Sequence, residues 1–389
     1  MCMDANYPPE YEVTGPNSRA TDVKSGKCKE QLSVFNRKNR KHMTNKEQEK
    51  EQDLLLAFPK QREITIFFFT IIARTTIINM KSYRSGFNGS SVKYSPFRNS
   101  QFIVTGYDHG QNRGRVNIHY SNKKPLASFT TTDRIFDCTW SLSNPDLIVL
   151  AADKGAVHLI DINLPHNSNP LGSFYGHTGI TTSVDWNPID ASFLSASQDG
   201  NVKHWIVDRC STIHSYSHPK SLSRVTWNPR SPNNYATACN DGNVRVWDIR
   251  DRRAEIIIKA DDLPILCCEW NSHGEARIAT TTLRMTYIQV WDIRQPRSPV
   301  KLLDGAHTAG VRVVKFSPHR EYQIASCSFD GKVVLWDYGA ENAVPIIKKY
   351  EHHVASARGL DMSKIVEGLL VSTGVDGLVH EWQHVLPEA

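Results

Sequence analysis

VRVVKFSPHREYQIASCSFDGKVVLWDY, residues 311–338, is the stretch that decides the fold. Apolar and polar residues interleave up to Pro318, a second run leads to a turn at Asp330-Gly331, and a third ends on Trp336-Asp337. Short runs with period two between Pro and Asp-Gly signals read as three successive strands joined by tight turns. The same phrase recurs along the chain. First strands end at Tyr94, Trp140, Trp186, Trp227, Trp270, Phe316 and Met362, and third strands at Tyr120, Ile160, Trp205, Trp247, Trp291, Trp336 and Trp382.

The third-strand series is spaced by 40–46 residues, with Gly-His before several units and Trp-Asp at their ends. That period is the signature of a β-propeller. A four-stranded blade is apolar on both faces and hides them only between two neighbours. Seven blades closed in a ring meet that need and protect the strand edges. The expected fold is therefore an all-β, seven-bladed propeller over residues 80–389.

Residues 1–79 differ in character. The first 53 are polar and Lys-rich without a sustained period, which predicts disorder. EITIFFFTIIARTTIIN, residues 63–79, follows, and its uncharged portion from Ile64 to Ala73 is too short for a membrane span. Its distance from the N-terminus excludes a signal peptide. Residues 1–79 are read as an extension that is disordered or foreign to the native protein, with the working chain starting near Met80. Direct membrane insertion is not expected.

Composition narrows the function class. The net charge of +6 divides evenly about residue 79 with no dense basic patch, so a nucleic-acid partner is not indicated. Eight cysteines occur without a CxxC pair and read as buried apolar residues of a reducing compartment. His352-His353 is the densest histidine cluster. Adjacent strand residues would face apart with no third ligand, so no metal is expected. No Walker loop, GxSxG elbow, HExxH or catalytic carboxylate cluster occurs, so neither enzyme activity nor a cofactor is expected.

The recurring polar residues resemble the His–Ser/Asp–Trp network of WD-repeat blades. His177, Asp199 and Trp205 fit that pattern, as do His307, Asp330 and Trp336; Asp241 with Trp247 and Asp376 with Trp382 repeat part of it. Gly200, Gly242, Gly331 and Gly377 supply the positive φ such turns need. Blade five ends on Trp291 but has TTTLRMTYIQVWD in place of an Asp-Gly turn, which predicts a longer hairpin.

A narrower resemblance lies in SVKYSPF (91–97), RIFDCTWS (134–141), SVDWN (183–187), ILCCEWN (265–271), VRVVKFSPHR (311–320) and IASCSFDGKVVLWDY (324–338). With EHHVASARGLDMSKIVEGLLVSTGVDGLVHEWQH (351–384), these stretches resemble receptors for the type 2 peroxisomal targeting signal, the peroxin-7 family. The resemblance implies a cytoplasmic receptor, monomeric on its own, that cycles to the peroxisome matrix. It implies as partners cargo proteins with an N-terminal signal helix, an import co-receptor and the docking machinery. The alternative is a general WD-repeat scaffold, such as a chromatin or ubiquitin-ligase adaptor.

The implied site is the face where the first strands begin, across which an amphipathic helix would lie. Register places Phe136, Ile180, Thr182, Ser223, Leu266, Arg312 and Arg358 there, with Gln198, Asn240, Phe329 and Val375 just before the turns. Asp133 and Asp137 match the family's acidic phrase and are expected to meet a basic cargo residue. Ile180, Pro264 and Ala355 stand where related receptors usually have an acid, and Gln198 and Val375 where they tend to have Trp. Unaltered cargo specificity is thus in question.

Overall fold

The computed structural model describes residues 77–384, except 109, 121–124, 210, 252, 275 and 340–344. Among the described residues, 28 strands form seven four-stranded antiparallel sheets. They are the seven blades of a propeller. The inner strands are Asn88–Tyr94, Ile135–Trp140, Thr181–Trp186, Leu222–Asn228, Ile265–Trp270, Val311–Phe316 and Ala357–Met362.

Each blade carries a fourth, outer strand beyond the three that the sequence pattern displays. In blades one to six it follows the third strand in the chain, as in Ala254–Lys259 after Asn243–Asp248. In blade seven it comes from the other end of the propeller: Ile77–Arg84 pairs antiparallel with Leu378–His384. The ring is closed by hydrogen bonds between its two chain ends. This strand starts three residues before Met80, so the boundary expected at 79/80 falls inside a paired strand. Of the extension 1–79 read as disordered or foreign, residues 1–76 lie outside the described residues, including the apolar run 64–73.

The core lies between blades. Second strands such as Ser192–Ser197, Gln323–Ser328 and Leu369–Gly374 are buried along their whole length, because a neighbouring sheet covers each face. One cluster joins Val149, Val157, Leu159 and Phe174 of blade two to Trp186, Phe193 and Trp205 of blade three. The large residue ending each first strand, aromatic in six blades and Met362 in the seventh, is buried at these wedges. At roughly 25 cal/mol per Å² of buried apolar surface, such clusters carry most of the stability.

The repeated hydrogen-bond network is complete in two blades. In blade three His177 reaches Asp199 Oδ2 through Nδ1 at 3.0 Å and Ser195 Oγ through Nε2 at 2.7 Å, and Trp205 Nε1 donates to the same hydroxyl at 2.8 Å. Blade six repeats it with His307, Asp330, Ser326 and Trp336. Gly331, at φ +77°, makes the turn that lets Asp330 accept from the Lys332 amide. Burial favours the neutral Asp330 carboxyl, but His307 and the Thr308 and Lys332 amides hold its pKa well below the usual range.

The other blades vary the theme. In blade four His218 and Trp247 share Thr237 Oγ1, at 3.0 and 3.2 Å, while Asp241 pairs with Arg245 at 2.6 Å. An arginine two residues before the tryptophan captures that carboxylate. In blade seven His353 joins Asp376 and Ser372 at 2.9 and 2.8 Å. The Trp382 indole N–H has no partner among the described residues; its ring packs against His352 and Tyr350 instead. In blade five Gln289 stands in for histidine, linking Thr280 to the Ala260 carbonyl, and Trp291 donates to Thr280. Its hairpin spans Leu283–Tyr287, longer than the three-residue turn of blade three and the four-residue turn of blade six.

Two smaller expectations need correction or limits. His352 and His353 lie in a loop, not a strand, and their rings do not diverge from a third histidine: both come within 4.6 Å of the His380 ring. Even so, no group of three His, Cys, Asp or Glu among the described residues is placed to hold a metal ion. Cys138, Cys239, Cys267, Cys268 and Cys327 are free and buried, and burial pushes the Cys138 thiol up to about 12. No helix among the described residues is long and apolar enough to cross a membrane.

Candidate functional site

Every inner strand carries a register shift near its start. The irregularities fall between Gly89 and Ser91, Ile135 and Asp137, Thr181 and Ser183, Leu222 and Arg224, Ile265 and Cys267, Val311 and Val313, and Ala357 and Gly359. A β-bulge leaves one residue unpaired and re-aims its side chain. The seven skipped residues are Ser90, Phe136, Thr182, Ser223, Leu266, Arg312 and Arg358. All seven line one cavity at the mouth of the central channel.

The structure thus brings together Phe136, Thr182, Ser223, Leu266, Arg312 and Arg358 from six blades, and adds Ser90 from the first. We call this the upper face. Gln198, Asn240, Phe329 and Val375 sit farther out, at the upper ends of second strands. Their backbone N–H groups bond to Ile180, Ser221, Gly310 and Ser356 carbonyls of the facing strands. Ile180 belongs to this outer rim and does not line the cavity. Asn240 is further tied to Ser223 and Ser221 by its amide.

Both carboxylates expected to meet a basic ligand are engaged within the chain. Asp137 is only 2% exposed. It accepts from Ser91 Oγ at 2.9 Å and Ser183 Oγ at 3.0 Å, and pairs with Arg224 Nη1 at 3.3 Å. The bulge explains the difference: it turns Phe136 to the mouth and sends Asp137 down into the channel wall. Burial raises its pKa, but Arg224, Lys93 and the two serines outweigh this and hold the carboxyl below its ordinary value. Asp133 is also buried, with Lys154 Nζ at 2.8 Å and His158 at 3.8 Å.

On the cavity's rim, Arg134 places its guanidinium 5.6 Å from the Phe136 ring centre and bonds to Asp153 at 2.8 Å. Arg358 donates to the Tyr107 hydroxyl at 2.7 Å, and Tyr107 lies against Phe136. These contacts fix Phe136 and Tyr107 as an aromatic shelf, and Leu266 lines the same cavity from blade five.

The channel below holds charges that sequence reasoning missed. Lys315 bonds Glu269 at 2.5 Å, Asp185 accepts from the Trp227 amide and Asp361 from the Tyr94 amide, each at 2.8 Å. Burial pushes Asp185 up, and burial together with Lys315 and Arg224 pushes Lys93 down. The signal was available: Lys93, Asp185, Glu269, Lys315 and Asp361 each sit one residue before the terminal aromatic or Met of a first strand. At this lower mouth the wall is closed by Trp140, Trp186, Trp227 and Trp270 with Pro96, Pro188, Pro229 and Pro318.

The WD domain, G-beta repeat family matches residues 168–205, 210–248 and 297–337. Relatives match over most of their length. Peroxisome biogenesis protein 7 of Arabidopsis thaliana is 40% identical over 312 residues, 78% of this chain and 98% of the relative. The peroxisomal targeting signal 2 receptor of Dictyostelium discoideum is 33% identical over 74% of this chain and 93% of its own. That of Schizosaccharomyces pombe is 25% identical over 76% and 97%. Two of these relatives exceed 30% identity from nearly end to end: this chain belongs to the peroxin-7 family of receptors for the type 2 peroxisomal targeting signal.

Proposed function

We propose that this chain is a peroxisomal import receptor without catalytic activity, whose upper face binds the amphipathic helix of a type 2 targeting signal. A co-receptor closes over the bound helix and hands the complex to the docking machinery, so that the receptor cycles between cytoplasm and peroxisome matrix. The observation that carries the reading is the near end-to-end match to relatives named as receptors for that signal. The upper mouth supports it with a shape suited to a helix: Phe136 and Leu266 offer apolar surface, and polar groups ring them.

The binding test uses the full chain and a fluorescent helical peptide of the type 2 signal, with and without the co-receptor's binding segment. The reading predicts saturable binding that the co-receptor segment tightens. A folded receptor that binds the peptide in neither condition would overturn it.

A further inference from the structure

Among the described residues, two arginines of the upper mouth, Arg312 and Arg358, form no ion pair with the chain's own carboxylates. The cavity is lined by Lys93, Arg224, Arg312, Lys315 and Arg358 against a single carboxylate, Asp137. Asp137 is taken by Arg224, and Lys315 is taken by Glu269 from below. Among the described residues, the Arg358 side chain has only a neutral partner, the Tyr107 hydroxyl. Arg312 has no hydrogen bond or ion pair among the described residues. Both arginines occupy the bulge position of adjacent blades, so both guanidiniums are aimed at the same opening.

A partly buried guanidinium without a counter-charge loses hydration and gains nothing for it. Its planar fork of donors matches a carboxylate, which two such groups can clamp together. The remaining bulge residues, Ser90, Thr182 and Ser223, donate their hydroxyls to carbonyl or amide oxygens of the chain, so they put no competing anion into the mouth.

The geometry points to a carboxylate-binding site: Arg312 and Arg358 receive an acidic side chain of the helix that lies on the upper face. This rests on the receptor reading above and adds to it that the helix is read through an acid as well as through its apolar residues. An acid at the right helical position is held over the mouth; a glutamine there is not.

The test places a single Glu, or Gln, in turn at each position of the signal peptide and measures affinity for the wild-type chain and for Arg312→Gln. Charge-assisted hydrogen bonds predict that one Glu position binds at least about fivefold more tightly than its Gln counterpart. That gain disappears in Arg312→Gln, whatever change the substitution makes to the affinity shared by the Glu and Gln peptides. A Glu gain that survives Arg312→Gln, or no gain at any position of a peptide that binds, overturns the site. If no peptide binds, inorganic phosphate decides by calorimetry. Saturable binding that needs Arg312 retains the anion site and removes only the receptor reading. Its absence removes both.

Discussion

At the scale of single residues, Asp137 shows how one backbone irregularity changes a role. An alternating strand would place Phe136 and Asp137 on opposite faces, with either able to reach the mouth. The bulge settles it: Phe136 lines the opening and Asp137 is clamped in the wall by Arg224, Ser91 and Ser183. Asp137→Ala should therefore act on stability. Removing one partner of a buried ion pair leaves Arg224 uncompensated, at a cost of about 3–5 kcal/mol. Thermal unfolding should show a large fall in Tm; an unchanged Tm with weakened peptide binding would restore Asp137 to the ligand site.

Buried histidines make a second residue-scale prediction. Burial lowers His119, His204, His380 and His384 from 6.5 to about 4. Between those values the unfolded chain binds protons that the folded chain refuses, so stability falls as pH drops from about 6.5 toward 4. A Tm at pH 5 at least about 5 °C below that at pH 7 is expected. Equal values at the two pHs would mean these rings accept protons in the folded state.

At the scale of strands and blades, the joint between the chain ends is the element on which ring closure depends. Ile77–Arg84 supplies the outer edge of blade seven, and Tyr83 adds a hydroxyl bond to the buried Glu381. Deleting residues 1–84 should leave an unpaired strand edge and lower Tm by about 10 °C or more. Deleting 1–76 should not do so, because no described strand residue is lost. Equal stability of the two truncations would show that the closing strand is dispensable.

Legibility in the sequence followed burial. Most first and third strands end in large buried aromatics, with Met362 and Ile160 in the same register, so their 40–46-residue spacing displays the ring without a structure. The outer strands have one covered face and half-exposed patterns such as that of Ala254–Lys259, too weak to stand out. The closing strand was hidden for another reason: its partner lies some 300 residues away, and no local pattern encodes such a pairing. The upper-face positions were legible by counting back from each aromatic, since the bulge recurs at one place in every blade. Which carboxylates remained free was not, because that depends on Arg224 and Lys154 reaching from elsewhere.

At the scale of the whole molecule, the seven bulges turn a structural repeat into one site. Each blade contributes its bulge residue to the mouth, and no two neighbouring bulges repeat the same residue except the arginines of blades six and seven. A binding surface built this way changes one residue at a time without disturbing the blades that carry it, which suits a receptor whose scaffold outlasts any one ligand. Phe136 and Leu266 are the apolar anchors, and both are only partly buried by the chain's own atoms.

The most direct measurement is the affinity of a fluorescent type 2 signal peptide, in the presence of the co-receptor segment, for wild-type protein and for Phe136→Ala with Leu266→Ala. Hot-spot truncation predicts a loss of at least about tenfold in affinity, with Tm close to that of the wild type because neither side chain belongs to the inter-blade core. Binding that is tight and equal for the two proteins would contradict the account and move the signal off the upper mouth.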